Sequence, residues 1–136
     1  FDLIANTDGH YAFTQFGFTS DALYVSFKVL ELLSKSELKL SSVAQSLTPF
    51  SFRGENVACK STQKGKMMRK FLEEAQDKRH TTADGVKIWL NKKEWILMVP
   101  DQHREFLNIY IQAKNVENAN KIFEKFYKKI EKWKDE

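Results

Sequence analysis

The chain has 136 residues, 42% of them hydrophobic, and 22 Lys and Arg against 18 Asp and Glu give a net charge of +4. That length suits one domain, or one domain plus the tail of another, and buries roughly two-thirds of the unfolded surface without covalent staples. The single Cys59 excludes an internal disulfide and a Cys-rich metal framework. Both charge signs are interspersed along the chain, the pattern of solvated faces, so no nucleic-acid partner is expected. No apolar run approaches about 18 residues and no signal peptide is visible, so the expectations are no membrane partner and a reducing, cytoplasmic location. The first ten residues already read as the interior of a domain, and the chain is expected to be a fragment of a longer protein.

Thr19, Ser20 and Asp21 supply an N-cap, and Leu23, Phe27, Leu30 and Leu33 recur three or four residues apart. This predicts a helix of about 14 residues, apolar enough to be largely buried. Ser41 to Leu47 suggests a short second helix, which Pro49 closes. Residues 50–59 read as extended, with Cys59 a buried and inert thiol. Gln63 to Asp77 predicts an amphipathic helix with Met67, Met68, Phe71, Leu72 and Ala75 on its core stripe.

Ala83, Asp84 and Gly85 then turn the chain into Val86–Leu90, whose alternation marks a half-buried strand. Asn91 to Glu94 is too short for a parallel crossover, so Trp95–Val99 must return antiparallel. A further strand alternates through Leu107, Ile109, Ile111 and Ala113. Between these strands lie Pro100, Asp101, Gln102, His103, Arg104 and Glu105. A loop with one Arg, one His and two carboxylates, held by two core strands, is the candidate site. His103 and Asp101 alone make a weak metal site, since no third ligand is in view. His10 and His80 are isolated in sequence.

The last element is a helix from Val116 to about Lys132. Its apolar positions from Ala119 to Trp133 recur at helical spacing, which predicts packing on the protein's own sheet. The order helix, helix, strand, helix, strand, strand, strand, helix predicts an α+β fold: a four-stranded antiparallel sheet with helices on one face.

The run from Trp95 to Ala113 resembles, without a gap, the phosphate-binding segment of the α-D-phosphohexomutases (phosphomannomutase and phosphoglucomutase), W-V-L-V-R-P-S-G-T-E-P-x-x-R-I-Y-x-E-A. Trp95, Leu97, Pro100, Ile109, Tyr110 and Ala113 match. The anion-gripping positions differ. Val99 stands for Arg, Asp101, Gln102 and His103 stand for Ser, Gly and Thr, and Asn108 stands where a second Arg is frequent. Residues 4–10 are similar to the family's sugar-binding loop G-G-E-x-S-G-H. Gly9 and His10 match, while Asn6 and Asp8 replace Glu and Ser, and a helix follows near Asp21-Ala22.

The resemblance implies that residues 47–136 form the TATA-binding-protein-like C-terminal domain of a phosphohexomutase. Residues 1–46 would then be the C-terminal part of a preceding mutase-like α/β domain. It implies substrate-phosphate-loop candidates Pro100, Asp101, Gln102, His103 and Arg104, and sugar-loop candidates Asn6, Asp8, Gly9 and His10. Family members transfer phosphate through a phosphoserine, with magnesium held by an Asp-x-Asp-x-Asp-Arg loop. Neither motif occurs here, so no catalytic residue, metal ligand or cofactor is assigned to the fragment, and magnesium is implied only for an active parent. Expected partners are the upstream domains of the parent chain and a weakly bound hexose phosphate. Two readings follow: the phosphate-gripping portion of a working mutase, or a silent mutase-like module fused to a nucleotidyltransferase of the mannose-1-phosphate guanylyltransferase type. In such fusions the loop often begins L-P-D, which fits Val99-Pro100-Asp101.

Overall fold

A computed structural model describes residues 2–6 and 8–136. The chain divides into two compact units, Phe1–Thr48 and Pro49–Glu136. In the first, β1 (Leu3–Ala5) and β2 (Tyr11–Phe13) pair antiparallel with Ile4 opposite Ala12. Helix α1 (Ala22–Ser36) begins where its cap residue places it, Asp21 Oδ1 accepting the Tyr24 N–H at 2.8 Å. Glu37, left-handed at φ 56°, ends it. Helix α2 (Leu40–Ser46) follows.

The expected burial of α1 is not found. None of its residues is buried, and Leu23, Phe27 and Leu30 are 73%, 67% and 60% exposed. The helix forms because its cap and local spacing are sound. Among the described residues of its unit, however, the only sheet has two strands of three residues, too small to cover a 15-residue helix.

The second unit contains β3 (Ser51–Ala58), α3 (Ser61–Glu73), β4 (His80–Thr81), β5 (Val86–Trp89), β6 (Trp95–Pro100), β7 (Phe106–Ala113) and α4 (Val116–Asp135). Its strands form one antiparallel sheet in the order β3-β7-β6-β5-β4. The α+β architecture is as expected, but the sheet has five strands where four were predicted. The extra strand, β4, pairs His80 and Thr81 with Ile88 and Lys87. Two residues are too few to show a period of two, which is why the sequence pattern missed it.

Strand alternation sorts the sheet into two faces. Ile88, Ile96, Met98, Leu107, Ile109 and Ile111 point into one core with Met67 and Phe71 of α3 and Phe126 and Ile130 of α4. Helix α3 lies over β5 and β6, and α4 lies over β3 and β7. The Phe71 and Phe126 rings meet edge to face at 5.5 Å, and Lys129 pairs with Glu74 at 2.5 Å between the two helices. Glu94, in the β5–β6 turn, accepts from the Lys114 N–H at 3.1 Å and from Asn118 Nδ2 at 3.0 Å. That carboxylate ties the turn to the start of α4.

Candidate functional site

The β6–β7 connection is a tight, internally bonded loop. At its neck the Asp101 N–H donates to the Phe106 carbonyl at 3.1 Å. Asp101 Oδ1 accepts two backbone N–H groups, from His103 at 3.0 Å and Arg104 at 2.8 Å. This is the Asx-turn geometry that a short carboxylate side chain favours in a turn. Asn108 Nδ2 lies 3.5 Å from the second oxygen, Oδ2. The two N–H groups, His103 first and Arg104 second, hold the Asp101 carboxyl below the usual aspartate range.

Helix α3 braces the loop from outside. Lys64 Nζ donates to the Asp101 carbonyl at 2.6 Å and also to the Arg104 carbonyl. The Glu105 carbonyl accepts the Cys59 N–H at 2.8 Å, and Glu105 Oε1 lies 3.4 Å from the Ser61 N–H. Lys60, the residue before α3, provides no side-chain cap, so the Glu105 carboxylate supplies the negative charge there. Cys59 is buried, and burial raises its thiol pKa.

The sheet next to the loop carries the two positions where the resembled family has arginine. Val99 of β6 and Asn108 of β7 are register partners, and Asn56 of β3 is the next partner of Asn108. All three are uncharged. Farther along the same face, Trp95 and Tyr110 both pack against Phe52, with ring centroids 6.2 and 6.0 Å apart. Lys87 lies over Trp95 at 3.8 Å and Arg79 over Trp89 at 4.6 Å. Trp95 and Tyr110 are therefore framework, because their rings pack within the sheet face.

Of the sequence candidates, Pro100 ends β6 and Asp101, Gln102, His103 and Arg104 follow it in this one loop, which Lys64 of α3 and Asn108 of β7 contact at Asp101. Gln102, His103 and Arg104 are exposed. Asn6, Asp8, Gly9 and His10 belong to the other unit and build the β1–β2 turn. There Asn6 Oδ1 accepts the N–H groups of Asp8 and His10, each at 3.0 Å, and Gly9 adopts φ 82°. Lys64 is the participant that sequence reasoning missed. Nothing in local spacing links it to the residues 37 and 40 positions later whose carbonyls it holds. Among the described residues no three His, Cys, Asp or Glu side chains are grouped so that they could hold a metal ion. No described helix is long and apolar enough to cross a membrane.

No family model matches the chain. It is 25% identical over 115 residues to the phosphoglucosamine mutase of Methanocaldococcus jannaschii, which covers 82% of this chain and 25% of that protein. It is 26% identical over 109 residues to the phosphoglucosamine mutase of Methanococcus maripaludis, covering 78% of this chain and 24% of the relative. These similarities support the phosphohexomutase resemblance. The chain spans about a quarter of the length of the curated relatives it matches.

Proposed function

We propose that the chain is the C-terminal portion of a phosphohexomutase-like protein of sugar-phosphate metabolism, working in the cytoplasm alongside upstream domains of its parent. The reading is carried by the retention of the motif's framework. Trp95, Leu97 and Pro100 on β6 lie opposite Gln112, Tyr110 and Leu107 on β7, and the similarity to phosphoglucosamine mutases runs across most of the chain.

Within this reading the portion performs no catalysis alone. Phosphoryl transfer requires positioned charge around the moving group, and neither a phosphoserine motif nor an Asp-rich magnesium loop lies in these 136 residues. One observation favours a silent module, of the kind fused to nucleotidyltransferases, over the phosphate-gripping portion of a working mutase. Val99 and Asn108, side by side, put two uncharged side chains at the positions beside the loop where the resembled family has arginine. An arginine lost there removes a charge-assisted bond worth about 1.5–3 kcal/mol, roughly ten- to a hundredfold in affinity.

The pure chain is expected to show no turnover of mannose or glucosamine phosphates and to bind them in the millimolar range or more weakly. Turnover that scales with its concentration and survives repurification would sink the silent reading.

A further inference from the structure

The β6–β7 loop is folded around one of its own charges. Two consecutive backbone N–H groups, those of His103 and Arg104, converge on a single oxygen of Asp101. Consecutive N–H groups turned toward one point form a concavity suited to an anion. Here the anion comes from two and three residues upstream. The surrounding contacts fix that arrangement, since Lys64 Nζ grips the carbonyls at both ends of the turn, Asp101 and Arg104. The Phe106 N–H closes the same segment on the Arg104 carbonyl at 2.9 Å.

We propose that Asp101 is a built-in anion that occupies the loop's N–H donors and excludes phosphate, so that position 101 decides whether this loop takes a phosphoryl group. The inference rests on the reading of the loop as a sugar-phosphate segment and adds the residue that blocks it. A carboxylate tethered beside its donors has an effective concentration that free phosphate cannot match at millimolar levels. While it is in place, a second anion would also meet its negative charge at contact distance. The Lys64 ammonium donates to the Asp101 and Arg104 carbonyl oxygens of the turn.

The test uses the whole chain and its Asp101→Ser variant, titrated with inorganic phosphate while backbone amide shifts are followed. Asp101→Ser shortens and neutralises the side chain, and it should bind phosphate about tenfold more tightly or better, with the largest shifts at residues 103 and 104. Equal affinity in the two proteins, with the variant still folded by its amide dispersion, overturns the proposal. A pH titration of the unaltered chain keeps the test decisive if the variant fails to fold. The His103 and Arg104 amides should move together with the Asp101 carboxyl, and flat amides across that titration overturn the proposal.

The sugar-phosphate reading is judged separately. An Asp101→Ser chain that gains inorganic phosphate, yet takes mannose 1-phosphate no better, upholds the blocking role and counts against that reading. Micromolar binding of mannose 1-phosphate by the unaltered chain would do the reverse.

Discussion

Gly85 shows how much one residue can be constrained by a neighbouring strand. Its φ is 123°, a region that L side chains rarely adopt, and a Cβ there would lie 2.3 Å from the Met98 carbonyl oxygen. The obstacle is backbone in the middle of β6, so it cannot swing aside. Gly85→Ala should lower stability by about 2 kcal/mol or more, read as a drop in urea midpoint at unchanged slope. At the same scale, Asp101 and Glu94 are two of the carboxylates that contribute to the acid response, with Glu31, Glu74 and Glu136 held low by lysines. Asp101 is held below its ordinary 3.8 by the His103 and Arg104 N–H groups, and Glu94 below 4.5 by Asn118 first and the Lys114 N–H next. A depressed folded-state pKa contributes stability that is complete above the unfolded value and disappears as pH falls through the folded one. Urea midpoints should therefore be level near neutrality and decline once pH drops below the ordinary carboxylate range. Glu94→Gln should flatten the upper part of that decline, and an unchanged profile would remove Glu94 from the account.

At the scale of elements, two helices with similar apolar spacing meet different fates. Helix α4 lays Phe126, only 1% exposed, against Phe71, while its neighbour Tyr127 remains 37% exposed. Phe126→Ala should cost about 3–5 kcal/mol. Leu23→Ala and Leu30→Ala in α1, whose side chains are mostly exposed, should each stay within about 0.5 kcal/mol. Parallel urea melts of the three variants check the contrast, and a large loss from Leu23→Ala would mean that α1 contributes to the measured core after all. The helices themselves were legible from caps and from three- and four-residue spacing, because those signals act within one turn of chain. What the spacing does not carry is how much sheet surface waits for the stripe. That is why α1 read as buried and stands exposed.

For the whole molecule, every buried hydrophobic residue among the described residues except Ala12 lies in the Pro49–Glu136 unit. Residues 49–136 expressed alone should therefore melt cooperatively at nearly the urea midpoint of the full chain, and a non-cooperative melt would show that the first unit is needed for folding. Sequence by itself determined the four helices, the strand alternation of β5, β6 and β7, the α+β class and the loop at residues 100–105, since each depends on contacts between near neighbours in the chain. Tertiary structure alone decided the fifth strand, whose two residues acquire meaning only beside Lys87 and Ile88. It also decided the placing of Val99 against Asn108 and the grip of Lys64 on a loop 37 residues away. The Asp101 turn lies between these limits: its residues were visible in the sequence, but the N–H partners of its carboxylate were not. Local composition says which groups are present, whereas which donors a charge is bonded to follows from how strands and helices fix the loop that carries it.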